Sequence, residues 1–109
     1  MQPGHYCIFW TYLVKPDQVD AFIRYYGNDG EWAKLFRRQP SYLGTNLYRS
    51  QDEPDRFLTV DTWETENAFE EFKSIHWDDY QAMDDVCDDF TREETKLGQG
   101  DIPTSVRLG

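Results

Sequence analysis

Asp61, Trp63, His76 and Trp77 fall within one stretch, FLTVDTWETENAFEEFKSIHW (57–77), and their side chains could do chemistry. A carboxylate and an imidazole can each take a proton, and an unperturbed imidazole titrates near neutrality. The two indoles offer flat apolar walls. Trp63 and the His76-Trp77 pair could close one pocket around an aromatic ligand. They could equally pack a core, with His76 marking a helix start. Other chemistries lack their parts. There is no glycine-rich phosphate loop and no Ser-His-Asp arrangement. His5 and His76 lie far apart with no alternating acidic motif, so no metal site is expected. Cys7 and Cys87 form no CxxC and each sits in an apolar pattern, so both read as buried thiols.

The positioning elements follow from the pattern. YCIFWTYLV (6–14) is a strand that is apolar on both faces: Tyr6, Ile8, Trp10, Tyr12 and Val14 on one, Cys7, Phe9, Thr11 and Leu13 on the other. Pro16 opens a helical pattern with Val19, Phe22, Ile23 and Tyr26 on one side. GNDG (27–30) breaks it, and EWAKLFRRQ (31–39) resumes it, giving one kinked helix or two joined by a tight turn. YLGTNLYRS (42–50) and RFLTVDTWE (56–64) form a hairpin across QDEPD (51–55). On the second of these strands Phe57, Thr59, Asp61 and Trp63 share a face. Thr65 caps a short helix, ENAFEEFK. Tyr80, Met83, Cys87, Phe90 and Leu97 then recur at helical steps, with Glu94 on the same seam, predicting a long amphipathic helix that ends at Gly98.

One domain is expected over residues 1–98, with 99–109 a tail in which SVRL (105–108) reads as a short strand or the end is mobile. The order predicts an α+β, ferredoxin-like βαββα(β) antiparallel sheet with helices on one face. The two-faced first strand then needs cover on its second face, and a second copy of the sheet is the simplest cover. Aromatic residues make up 17% of the chain against 39% hydrophobic overall, so large rings carry the core and are on hand to line a pocket. The net charge of −10 repels phosphate backbones and anionic membranes, which argues against nucleic-acid and membrane partners. The N-terminus has no basic region and no cleavage site, and no run is apolar enough to span a bilayer, so a cytoplasmic protein is expected.

A VKP after the first strand, P-x-Y-L-G-x-x-L-Y-R (40–49), D-x-P-x-R-F-L-x-V-D-x-W (52–63), A-F-E-E-F (68–72) and S-x-H-W (74–77) together resemble the antibiotic biosynthesis monooxygenase (ABM) domain family, from about Ile8 to Tyr80. The resemblance implies a dimeric α+β barrel, a homodimer through the sheet face, with a pocket between the helices and the sheet of each subunit. It implies a cofactor-independent monooxygenase acting on an electron-rich aromatic, quinol-like or polyketide-like. In such a site a base removes a proton and the anion reduces dioxygen directly, so the protein supplies a dry aromatic box, orientation and the base. His76 or Asp61 would be the base. Phe9, Phe22, Trp63, Phe72, Trp77 and Tyr80 would build the box, and Asn46 or Tyr48 would bond a substrate oxygen. The competing reading is a non-catalytic small-molecule binding or regulatory domain on the same scaffold. Haem binding or degradation is the third: Trp63 matches the strand-end Trp of that branch, but Phe9 stands where it has an Asn, and Tyr80 or Gln81 where it has a His.

Overall fold

The computed structural model describes residues 5–102. Its elements are β1 (Tyr6–Val14), α1 (Val19–Tyr26), α2 (Glu31–Phe36), β2 (Tyr42–Arg49), β3 (Arg56–Trp63), α3 (Glu66–Ile75), α4 (Trp77–Cys87) and β4 (Thr91–Asp101). The four strands form one antiparallel sheet in the order β2-β3-β1-β4, with the helices on one face, so the expected ferredoxin-like α+β fold is present. No helix among the described residues is long and apolar enough to cross a membrane.

The local chemistry matches the element ends. GNDG separates α1 from α2 as a tight turn, closed by a Gly30 amide donating to the Gly27 carbonyl at 2.9 Å. Thr65 Oγ1 accepts from the Ala68 amide at 3.1 Å and caps α3. Ser50 Oγ accepts from the amides of Asp52 and Glu53 and holds the β2–β3 turn.

The C-terminal third departs from the expectation. The seam holds through Cys87 and Phe90, both buried, and there the helix stops. Residues 91–101 are β4, not helix, and pair with β1 from Val14↔Thr91 to Tyr6↔Asp101. The reason is tertiary. β1 lies inside the sheet and needs a ladder partner on both edges. Past Phe90 the seam offered only Glu94 and Leu97, and Leu97 is exposed here. TREETK makes a charged edge strand, a common protection against further pairing. Gly98 is thus no helix cap. It sits at the bulge between the Phe9↔Gly98 and Trp10↔Lys96 pairs with φ of 144°, a conformation open mainly to glycine. Gly44, with φ of 151°, plays the same part where β2 bulges against β3. β4 thus runs through position 98 to Asp101. The expected strand at 105–108 lies outside the described residues.

The core lies between helices and sheet, where Val14, Phe22, Phe57, Trp63 and Phe72 are fully buried. On the opposite face Phe9, Leu13, Leu58 and Val60 are only half-buried, and Leu43 and Tyr48 are exposed.

Candidate active site

A cavity of about 200 Å3 opens between the helices and the sheet. Its floor is the helix-facing side of the strands: Trp10 and Tyr12 from β1, Thr45 from β2, Thr59 and Asp61 from β3. Alternation along β3 puts Thr59 and Asp61 there, and the register Thr45↔Asp61 sets the β2 threonine directly beside the carboxylate. Tyr26, Trp32 and Phe36, from α1 and α2, form one wall. Tyr80 and Asp84, one turn apart on α4, form the other, and Glu94 of β4 stands exposed at the opening.

Asp61 is the polar centre of this floor. Thr45 Oγ1 donates to Asp61 Oδ1 at 2.6 Å. Since the Thr45 hydroxyl has one proton, the Tyr42 hydroxyl, 2.6 Å from the same oxygen, must donate to it. A Tyr42–Thr45–Asp61 relay therefore orients the carboxylate. Burial pushes the Asp61 carboxyl up to about 6, against the opposing effect of the Thr45 hydrogen bond. It makes no ion pair among the described residues. The Tyr12 hydroxyl lies 3.1 Å from Thr59 Oγ1, and burial raises its pKa well above the usual phenol value. Burial, and then the neighbouring carboxylates of Asp84, Asp61 and Glu94, push Tyr80 up to about 12. The Tyr12 and Tyr80 hydroxyls are thus neutral hydrogen-bonding groups near pH 7. Asp61 is the group that exchanges a proton there.

The structure divides the expected site residues. Asp61 and Tyr80 line the cavity. Trp77 does not: it is half exposed and stacks on the outer side of Tyr80, ring centroids 5.9 Å apart. His76 is the junction between α3 and α4, its amide donating to the Phe72 carbonyl and its carbonyl accepting from the Tyr80 amide. Its ring lies 5.2 Å from that of Phe72, outside the cavity lining. Trp63 and Phe72 are fully buried behind Phe36, with ring centroids 5.4 Å apart. Phe22 is a second layer, stacked on Tyr26 at 4.3 Å and edge-on to Tyr12 at 5.1 Å. Phe9, Asn46 and Tyr48 point to the other side of the sheet, because β1 and β2 alternate and the Gly44 bulge sets the β2 phase.

Several lining residues escaped the expected box. Trp10 and Tyr12 were signalled by the even face of β1. Glu94 was signalled as an acid on an apolar seam. Trp32, Phe36 and Asp84 had no such signal, because their place depends on where α2 and α4 cross the sheet. Among the described residues no group of three His, Cys, Asp or Glu side chains is close enough to hold a metal ion.

Residues 6–83 match the sequence model of the family named ABM, antibiotic biosynthesis monooxygenase. The chain belongs to that family. Solved structures share its fold. A structure from Nitrosomonas europaea, named for antibiotic biosynthesis monooxygenases, is 20% identical with a TM-score of 0.75, covering 95% of both chains. SnoaB of Streptomyces nogalater, a cofactor-independent oxygenase, is 13% identical with a TM-score of 0.72, covering 96% of this chain and 99% of its own. A further ABM-named structure, from Bordetella bronchiseptica, is 20% identical with a TM-score of 0.66, covering 92% and 98%. No curated protein matches the chain in sequence.

Proposed function

We propose that this ABM protein is a cofactor-independent monooxygenase that takes a compact, electron-rich phenolic or anthrone-like substrate into the cavity. The observation that carries the reading is Asp61: a buried carboxylate with no cation paired to it among the described residues, fixed by Thr45 and raised to about 6, on the floor of an aromatic-walled cavity. Asp61 takes a proton from the activated C–H or O–H of the substrate. The anion gives one electron to dioxygen, and the radical and superoxide combine to form a C–O bond. The resulting hydroperoxide loses water, so that for an anthrone CH2 plus O2 becomes C=O plus H2O. Trp10, Trp32 and Phe36 hold the ring and keep water from the anion. Tyr12 and Tyr80 hydrogen-bond the substrate oxygen as its charge grows. No flavin or metal enters this scheme. The cavity falls below the usual range of roughly 300–1,000 Å3 for ligand sites, which favours two or three fused rings over a larger polyketide.

The site belongs to one subunit, but the half-buried Phe9, Leu13, Leu58 and Val60 face needs cover. We propose a homodimer through that face, which would complete the family's barrel.

Oxygen uptake with anthrones and naphthohydroquinones, on metal- and flavin-free protein, tests the catalytic reading. Turnover rises with pH through about 6. Variants separate Asp61 from His76 as the base. Asp61→Asn lowers turnover at least a hundredfold at all pH values, and His76→Ala leaves it within about twofold. The reverse pattern refutes Asp61 as the base. Tight binding with no uptake by any variant supports the non-catalytic binding domain instead.

A further inference from the structure

We infer that the cavity selects a ligand carrying a positive charge, a compact aromatic ring bearing a protonated amine, with the ring on Trp10 and Trp32 and the ammonium between Asp84 and Glu94. The inference rests on the proposed substrate site and names the class of molecule it takes.

The lining contains three carboxylates, Asp61, Asp84 and Glu94, and no Lys, Arg or His. None of the three has an ion-pair partner among the described residues. Three other cations are committed elsewhere: Lys34 to Glu31, Arg38 to Asp79, Arg56 to Glu53 and Glu93. Lys73 lies over the rings of Phe69, Trp77 and Tyr80, outside the cavity lining. Lys96, two positions from Glu94 on β4, is exposed and forms no ion pair with it. The acidity of the surface serves solubility at no desolvation cost. Acids around a half-enclosed cavity do carry that cost. Burial raises the pKa of both Asp84 and Glu94, and neighbouring carboxylates add to it: Asp88 and Asp85 for Asp84, Asp84 and Asp88 for Glu94. Asp84 also sits in the last turn of α4, which carries no basic residue, so the negative end of the helix dipole adds to the field.

The rest of the cavity fits the same ligand. Trp10, Trp32, Tyr12, Tyr26 and Tyr80 present aromatic rings, whose faces attract a cation. A bare metal ion is a poor occupant, because the three acids are too dispersed to chelate one. An organic cation spans that spacing: its ammonium reaches the mouth while its ring fills the interior. A phenolic amine so held would keep its ring against the aromatic wall and its hydroxyl toward Asp61.

Binding of three indole probes that differ in side-chain charge tests this by calorimetry, under nitrogen so that no turnover intrudes. The probes are tryptamine, neutral 3-ethylindole and anionic indole-3-propionate, at pH 7.5 and low salt. Tryptamine binds roughly tenfold more tightly than 3-ethylindole, and indole-3-propionate binds most weakly. Raising the salt narrows the tryptamine advantage in the unaltered protein. Asp84→Asn and Glu94→Gln each lower tryptamine affinity, and the double variant brings the amine-to-neutral ratio toward one. Equal or tighter binding of 3-ethylindole by the unaltered protein overturns the inference, whatever the variants do. The oxygenase reading stands or falls separately. Amine preference without oxygen uptake on any phenol sinks that reading alone. Uptake on neutral phenols with no amine preference sinks this one alone.

Discussion

Asp61 shows how much one residue can be read from its neighbours. Strict alternation along β3 places it on the helix-facing side, which was legible in the sequence. Its proton affinity was not legible, because that depends on walls contributed by α1, α2 and α4. The raised pKa also has a cost for the fold. The folded carboxyl, at about 6, holds its proton more tightly than the ordinary value of 3.8. Its contribution to stability is therefore present below about pH 4 and is lost as pH rises through 6. Asn keeps the acceptor for Thr45 and removes the buried charge. Asp61→Asn is expected to raise stability at pH 7.5 by about 1–3 kcal/mol, and the gain should close toward pH 4. Urea melts at the two pH values check this. A loss of stability at pH 7.5 would mean that the carboxylate is better solvated than its surroundings imply. The other site residues expected from sequence scatter because residue type does not fix a side chain's layer. Trp63 and Phe72 have the right chemistry for a pocket, yet they are the fully buried packing behind it.

At the scale of elements, the β1, α1–α2, β2–β3 and α3 segments were legible because period and punctuation agree in each. The stretch after Phe90 was not. Its composition favours helix, and its fate was decided by the open edge of β1. Glu94 consequently reaches the cavity mouth from a strand. Gly98 makes a direct test of that assignment. Its φ is 144°, and no heavy atom lies within 4 Å of the place a β-carbon would take. An alanine there meets no clash, only backbone strain. Gly98→Ala is expected to destabilise the protein by about 1–2 kcal/mol. A mobile Gly98 would give a much smaller change. An unshifted denaturation midpoint would contradict the bulged strand.

For the whole molecule, the two-faced apolar β1 pointed to both the fold and an unmet need for cover. The helices meet one side of that need. Val60 and Leu58 remain on the other, and light scattering on the purified protein should give twice the mass of the 13.0 kDa chain. Val60→Asp, charging the centre of that face, should halve the mass. A stable wild-type monomer at micromolar concentration would remove the proposed dimer. The central claim, however, concerns chemistry inside one subunit: an anion made by Asp61 reacts with dioxygen without a cofactor. The most direct measurement supplies heavy-isotope dioxygen to metal- and flavin-free protein with an anthrone and follows product mass and oxygen consumption together. The account predicts one heavy oxygen atom per product, one dioxygen consumed per turnover, and neither with Asp61→Asn. Product that carries no heavy oxygen, or bound substrate that consumes no dioxygen, would contradict it.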